Sequence, residues 1–275
     1  MAWPVGAVHL NVADLSAAAS FYQQKIGLAV LDEGNGSVRL GAPDSQTHLL
    51  TLTEQPGGQP SAGGTGLYHF ALLLPSRREL GRVLRHFAVT QTPLQGLSDH
   101  GVSEAIYLAD PEGNGIEIYR DRPRDEWPMG GAGVEMITQA MDVDGVLAAA
   151  DTAGAFESLP PETIMGHIHL HVASTSEARR FYGDLLGLDL MQQMAGSALF
   201  MSRERYHHHV GLNVWRRGAP SVIEPDTLGL RWYVLDLGDE KPGAVARLQD
   251  ADVPMEQRDD GLFVRDPAGN GIVLV

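Results

Sequence analysis

Two histidines and a glutamate in the N-terminal half lie on predicted strands, where His9 and Glu117 oppose an apolar face and His69 is the lone polar residue after Tyr68. His9 lies in the strand VHLNV, Glu117 in GIEIY, and His69 in LYHFALLL. Successive side chains of a strand point to opposite faces, so His9 and Glu117 oppose apolar faces that must be covered by helices. Two neutral imidazoles and one carboxylate form the facial ligand set suited to Fe(II), which leaves three positions open. The sequence therefore predicts a metal site at His9, His69 and Glu117.

Each of these residues also has an ordinary structural interpretation. A single histidine on a strand is more often a hydrogen-bonded structural residue than a metal ligand, and Glu117 alone could face solvent. The recurrence of such positions at equivalent places in repeated segments is what favours a metal site.

The elements that must position these residues are repeated along the chain. Residues 5–28, VGAVHLNVADLSAAASFYQQKIGL, align without a gap with residues 165–188, MGHIHLHVASTSEARRFYGDLLGL. A second pair, DPEGNGIEIY at residues 110–119 and DPAGNGIVLV at residues 266–275, closes each half in the same way. An internal repeat of this kind indicates two homologous domains.

Each half divides again into two units, and in each unit a strand, a helix and further strands follow in order. Alternating apolar residues predict the strands, and a helical pattern ended by glycine, as at Gly27, predicts the first helix. The expected fold is α+β, with four βαβββ modules paired into two homologous domains, each a curved mixed sheet with helices on its outer face. The predicted boundaries are 1–122 for the N-terminal domain, 123–161 for a linker with one short amphipathic helix, and 162–275 for the C-terminal domain.

Composition excludes several classes of function. The 275 residues include no cysteine, which rules out disulfides, thiolate metal sites and thiol nucleophiles. A formal net charge of −15 repels nucleic acid, so we expect no nucleic-acid partner. The chain shows neither a secretory signal nor an apolar stretch long enough to span a membrane, and we expect a cytoplasmic protein. A homo-oligomer is compatible with the sequence.

The motifs resemble those of the vicinal-oxygen-chelate superfamily, which includes glyoxalases, bleomycin-resistance proteins and extradiol dioxygenases. The plan of four units is similar to that of two-domain extradiol dioxygenases, and the strings GLYHFALLLPSR and DPEGNGIEIYRDRPR resemble the catechol-2,3-dioxygenase-like branch. The resemblance implies ligands on the first strand of one unit and on the first and last strands of the next, which are His9, His69 and Glu117. It implies an enzyme that opens a catechol-like ring with O2 and uses Fe(II), with Mn(II) or Zn(II) as alternatives.

An extradiol mechanism also needs an acid/base residue, which in this class is usually a histidine close to the metal. His48 is the first candidate, because the repeat sets it opposite His209, and His100 is the second. Tyr107 lies ten residues before Glu117, where the extradiol family carries a tyrosine that hydrogen-bonds the substrate. A purely structural role is equally open for all three.

The C-terminal half departs from the metal-binding pattern. The repeat sets Trp232 opposite His69 and Val273 opposite Glu117, so only His169 keeps a ligand type. We therefore expect a structural or pocket-forming role for this half. A second binding site in this half stays open because the sequence carries a patch of six histidines, which are His167, His169, His171, His207, His208 and His209.

Two other functions of the same fold stay open. A glyoxalase-like lyase or isomerase has a fourth ligand, a glutamate that falls near Thr51, although Glu54 is close enough for a register error to restore it. A resistance-type protein would only bind its small molecule, without a metal.

Overall fold

The computed structural model describes residues 4–60, 64–130, 133–151, 154–216 and 226–275. All four expected modules are present, and the α+β fold is confirmed. The first module consists of β1 (Val5–Val12), α1 (Leu15–Phe21) with a π-helical continuation (Tyr22–Ile26), β2 (Ala29–Gly34), β3 (Ser37–Gly41) and β4 (His48–Glu54). After the short β5 (Gln59–Pro60), the second module consists of β6 (Gly66–Leu73), α2 (Arg77–Val89), β7 (Gly96–Asp99), β8 (Ser103–Ala109) and β9 (Gly115–Asp121).

The predicted linker has short elements of its own, including the expected helix. These are a 3-10 turn (Arg124–Glu126), β10 (Met129–Gly130), β11 (Gly133–Val134), β12 (Gln139–Ala140) and α3 (Val143–Ala149). The third module consists of β13 (Ile164–His171), α4 (Thr175–Arg179) with a π-helical continuation (Arg180–Leu185), β14 (Asp189–Met194), β15 (Ala198–Ser202) and β16 (Val210–Asn213). The fourth consists of β17 (Thr227–Leu235), a 3-10 turn (Gly238–Glu240), α5 (Lys241–Asp250), β18 (Met255–Arg258), β19 (Gly261–Arg265) and β20 (Gly271–Leu274).

The modules pair in an order that differs from our expectation of consecutive pairs. A first nine-stranded sheet joins modules 1 and 4, with β1 beside β17. A second nine-stranded sheet joins modules 2 and 3 in the order β12-β7-β8-β9-β6-β13-β16-β15-β14. Each sheet therefore takes strands from both halves of the chain, whereas the predicted boundaries at 122 and 162 follow the sequence repeat.

The two repeated motifs meet in each half through the same hydrogen bonds. The hydroxyl of Tyr22 donates to Oδ2 of Asp110, and that of Tyr182 donates to Oδ2 of Asp266, both at 2.9 Å. Each aspartate also accepts bonds from the amide groups of its own turn, at Asn114 in the first half and Asn270 in the second. Because both aspartates are buried, these bonds satisfy carboxylates that would otherwise be costly to exclude from water. They tie the helix of one module to the closing turn of the next.

Local sequence signals explain where the helices begin and end. Asp14 and Ser76 accept hydrogen bonds from amides in the first turns of α1 and α2, as N-cap residues do. The first helix ends at Gly27, whose φ of 86° lies in the left-handed region that favours glycine. Both features agree with the helix predicted from the sequence.

One continuous cluster of buried apolar side chains runs through both sheets, including Val8 and Leu10 on β1 and Phe70 on β6. The opposite face of each sheet, turned away from this core, is called its site face below. Among the described residues, no helix is both long enough and apolar enough to cross a bilayer.

Candidate metal centre

Three ligand-type side chains from three neighbouring strands meet on the site face of the second sheet. They are His69 on β6, Glu117 on β9 and His167 on β13, and all three are buried. Nε2 of His69 and Nε2 of His167 each lie 3.0 Å from Oε2 of Glu117. One ligand atom from each residue lies within 4.8 Å of the other two, which is close enough for all three to hold a single ion.

The charge state of this cluster suits a divalent metal. Burial alone would raise the pKa of Glu117, but the neighbouring His167 and His69 outweigh it and hold that pKa well below its usual range. Burial lowers the pKa of His69, although Glu117 opposes the shift. Glu117 is therefore a carboxylate at neutral pH, and His69 is a neutral imidazole with a lone pair to share.

Two ring nitrogens of the cluster, Nε2 of His69 and Nδ1 of His167, are buried without a hydrogen-bond partner in the described part of the chain. Nε2 of His69 is buried 3.0 Å from the Glu117 carboxylate, yet within the described part of the chain it has no partner of acceptable geometry. A buried polar atom without a partner is costly, and metal coordination would satisfy it. Two imidazole nitrogens and one carboxylate oxygen fit the donor set of a non-haem Fe(II) site with open positions.

The structure brings together His69 and Glu117 as predicted, but it places His9 elsewhere. His9 lies on β1 in the first sheet, where its Nε2 is 2.7 Å from Oγ1 of Thr53 and its ring packs 4.0 Å from that of Trp232. Its inclusion in the cluster was wrong, because the strand beside β6 is β13 and not β1. The third position is occupied by His167.

His167 belongs to the histidine patch that the sequence left unassigned. The internal repeat does not point to His167, because the residue aligned with it in the first half is Ala7. The signal that could have found it is the alternation of His167, His169 and His171, which places three histidines on one face of β13.

The other members of the patch divide into structural and cavity-lining residues. Nδ1 of His171 is 2.7 Å from Oδ1 of Asn213, and Nδ1 of His209 accepts a bond from the amide of Arg203. These two are structural. His169 and His208 instead line a cavity beside the metal cluster, and Nε2 of His169 is buried without a hydrogen-bond partner in the described chain.

His48 does not reach this cavity either. It lies on β4 of the first sheet, 2.8 Å from Oγ1 of Thr51, and burial lowers its pKa to about 4. In the first sheet β1 pairs with β4, and Val8 lies opposite Leu50. In the second sheet β13 pairs with β16, and at the equivalent position Ile168 lies opposite Val210. The counterpart of His48 in the second sheet is therefore His208, one residue away from the predicted His209.

His208 is linked to a carboxylate through His207. Nε2 of His207 donates to Oδ1 of Asp121 at 3.0 Å, and Nδ1 of His207 is 2.8 Å from Nδ1 of His208. The hydroxyl of Tyr206 donates to the same Asp121 oxygen. His207 and His208 are both buried, and the ring of His208 lies 4.1 Å from that of His167.

His100 and Tyr107 form a hydrogen-bonded pair in the same cavity. Nδ1 of His100 donates to the carbonyl oxygen of Ile137 at 2.8 Å, so Nε2 is the nitrogen that accepts the hydroxyl proton of Tyr107, also at 2.8 Å. Tyr107 stands opposite Glu117 on the paired strands. Burial and Glu117 raise the pKa of Tyr107 well above its usual value, so its hydroxyl stays protonated.

The cavity has a volume of about 570 Å³, which lies within the range of small-molecule sites. Its walls combine the polar groups described above with apolar side chains, which include Met136, Ile137, Met194, Phe200 and Trp215. Residues 136–138 of the predicted linker form one wall, and β12 pairs with β7 beside them. The side-chain amide of Gln192 holds this segment by two 3.1 Å hydrogen bonds to the backbone of Met136.

Comparison with known proteins gives consistent results. A family model described as the glyoxalase/bleomycin resistance protein/dioxygenase superfamily matches residues 5–118. The chain is 41% identical over 275 residues to a catechol-2,3-dioxygenase of Bacillus subtilis strain 168, covering 98% of this chain and 95% of that protein. A putative dioxygenase from the same Bacillus aligns with a TM-score of 0.64 at 14% identity, covering 100% of this chain and 86% of that one. Glyoxalase I from Zea mays aligns with a TM-score of 0.61 at 14% identity, with coverage of 99% and 92%. These two structural similarities concern the fold alone.

Proposed function

The chain belongs to the glyoxalase/bleomycin resistance protein/dioxygenase superfamily, and on that premise we propose that it is an Fe(II)-dependent extradiol dioxygenase that opens a catechol-like ring with O2. The cluster of His69, Glu117 and His167, opening on a cavity large enough for a substituted single ring, supports this function most directly. The similarity to a catechol-2,3-dioxygenase supports the same reaction.

In this proposal His69, Glu117 and His167 hold the metal, with Mn(II) and Zn(II) as the alternatives. Fe(II) bound there would supply the coupling between the electrons of a chelated catechol and dioxygen. The remaining chemistry falls to the side chains around the cavity, which must orient the ring, move its protons and keep out water.

His208 is the residue that we assign to proton transfer in place of His48. A carboxylate oxygen accepts hydrogen bonds, so Asp121 keeps a proton on Nε2 of His207. We assign Nδ1 of His207 as the acceptor of a hydrogen bond that the Nδ1–H group of His208 donates. This arrangement leaves Nε2 of His208 unprotonated. Burial, together with His167 and His207, lowers the pKa of His208 well below its usual value, so this residue is neutral before a substrate binds. In this proposal the unprotonated Nε2 of His208 takes the catechol proton.

Tyr107 and His100 are assigned to orienting the substrate. Because the Tyr107 hydroxyl donates its hydrogen bond to His100, the lone pairs of the phenolic oxygen can accept a bond from a substrate hydroxyl. His169, with its buried Nε2 free of other partners in the described chain, offers a further contact from the opposite strand. The apolar side chains of Met136 and Ile137 would cover the ring and exclude water.

The absence of a fourth carboxylate favours this reaction over a glyoxalase-like one. The resemblance implies a fourth glyoxalase ligand on the last strand of the first unit, near Thr51. The strand that corresponds to it beside the metal cluster is β16. That strand reads VGLN and is preceded by three histidines, so it offers no carboxylate. Thr51 and Glu54, considered from the sequence, lie on β4 in the first sheet.

The reaction can be tested directly. Protein loaded anaerobically with Fe(II) and then given catechol and air should consume one O2 per ring opened and form a yellow semialdehyde. Oxygen uptake and absorbance should rise together. If a panel of catechols produces no oxygen uptake while iron analysis shows a filled site, the dioxygenase function is wrong and a glyoxalase-like or binding role replaces it.

A further inference from the structure

The site face of the first sheet carries basic side chains at the place where the second sheet has its metal centre. The central strand pairs of the two sheets have equivalent registers. His9 pairs with Trp232 in the first sheet, and His169 pairs with His69 in the second. We call this surface the arginine cup and define it by Arg39, Arg231, Arg258 and Arg265, with His9 and His48 beside them.

Three of the arginines lie within cation–π distance of two aromatic rings of the fourth module. The guanidinium carbon of Arg231 lies 4.6 Å from the centre of the Trp232 ring. That of Arg258 lies 5.4 Å from Trp232 and 3.5 Å from Phe263, and Arg265 lies 5.2 Å from Phe263. The two rings are 6.4 Å apart. A contact between a guanidinium and an aromatic ring uses none of the N–H groups as a hydrogen-bond donor to a charged acceptor, so those groups stay available to an anionic ligand.

Carboxylates near the cup offset only part of its positive charge. Arg258 forms an ion pair with Glu256 at 2.7 Å, and Arg265 donates to the carbonyl oxygen of Gly269. Within the described residues, Arg39 and Arg231 form no ion pair, although Asp32 stands opposite Arg39 on the neighbouring strand. This gathering of positive charge occurs in a chain whose formal net charge is −15.

The arginines act on one another across this surface. Burial, followed by the charge of Arg258, lowers the pKa of both Arg231 and Arg265 below the usual value for arginine. Clustered guanidinium groups that are partly desolvated raise the free energy of the folded protein unless an anion lies between them.

We propose that the arginine cup binds an oxyanion, namely the carboxylate or phosphate group of a small molecule. Guanidinium edges match both groups, because each presents two or more oxygens in the spacing of paired N–H donors. The residues at the equivalent positions of the first sheet do not suit a metal. Trp232, Val273 and Ala7 lie where the second sheet has His69, Glu117 and His167, and none of the three offers a ligand atom from its side chain. The site is separate from the metal centre and does not depend on the reaction proposed for it.

Calorimetric titration of the purified protein tests this site with two probes, inorganic phosphate and succinate, at an ionic strength kept constant with chloride. Arg231→Met and Arg258→Met remove one positive charge each while keeping an apolar stem against Trp232. Arg78→Met, at an exposed position on α2, is the matched control because it changes the net charge equally. We expect wild type and the control to bind, and each cup variant to bind about tenfold more weakly, the scale of one lost charge-assisted hydrogen bond.

The two probes separate the possible sources of the anion. Binding of phosphate alone assigns the cup to phosphorylated ligands, and binding of succinate alone assigns it to carboxylates. The proposal is overturned if wild type binds neither probe, or if Arg231→Met and Arg258→Met bind as tightly as Arg78→Met. Unchanged melting temperatures of the variants without a probe show that any loss of binding is not a loss of folding.

Discussion

At matching places on their site faces, the second sheet carries His69 and Glu117 where the first carries Trp232 and Val273. Both sheets have the same strand order around their central pair, and both are built from modules of the same plan. The backbone therefore provides two equivalent positions, and the side chains decide what each can bind. One position has the donors for a divalent cation, and the other has arginines that suit an anion.

The largest expected effect concerns metal binding, and it tests whether the difference between the sheets lies in these side chains. Glu117→Ala and His167→Ala should each lose stoichiometric iron, because each removes one of three ligands that hold the ion in the proposal. His9→Ala, in the first sheet, should keep its iron. Iron analysis after anaerobic loading and desalting measures all three variants.

Two outcomes would contradict this assignment. Full iron occupancy in His167→Ala would remove the residue that the structure adds to the predicted set. Loss of iron in His9→Ala would restore the metal site predicted from the sequence alone, in spite of the distance between the two sheets.

Sequence reasoning found the elements and two residues of the cluster but not the third. Alternation on single strands sufficed for His69 and Glu117, because both belong to one module and face the same side. The choice between His9 and His167 depends on which module lies beside β6, and this pairing joins strands about 100 residues apart in sequence. The sequence repeat does not settle that choice, because β1 and β13 carry Gly, His and Leu at equivalent positions, and the alternating histidines of β13 are a signal that separates the two strands.

The misplacement of His48 has a different cause. The repeat aligned β4 with β16 one residue out of register, and a shift of one residue moves a side chain to the other face of a strand. The bulge between Leu40 and Gly41, next to His48, breaks the simple alternation there. The observed strand pairs correct the register and identify His208.

A smaller effect is expected on turnover when the proton-transfer residue is removed. His208→Ala should lower kcat by about 10²-fold, the usual scale for losing a general acid or base, without releasing iron. His48→Ala removes the counterpart in the first sheet and should leave kcat near the wild-type value. Steady-state oxygen uptake at saturating catechol, with iron content measured on the same samples, compares the two. Equal kcat values would contradict the assignment of His208, and a loss only in His48→Ala would reinstate the original prediction.

The smallest effect is expected at His207, which lies behind His208 and whose counterpart in the first sheet is Thr47. If His207 fixes the position of the proton on His208, then His207→Leu should lower kcat by about tenfold with little change in KM, the scale of one lost buried hydrogen bond. His207→Gln should retain most of kcat, because its amide nitrogen can donate to Asp121 while its oxygen accepts from Nδ1 of His208.

A purely structural role for His207 predicts a different pattern. Both variants would then lower the melting temperature and kcat together, and glutamine would not rescue turnover. Nitrogen-15 spectra of the histidine rings give an independent measure, because protonated and unprotonated ring nitrogens have separate chemical shifts. In wild type and His207→Gln, His208 should carry its proton on Nδ1, whereas His207→Leu should show both tautomers. A single unchanged tautomer in His207→Leu, with normal kcat, would show that the orientation of His208 comes from the cavity wall and not from Asp121 and His207.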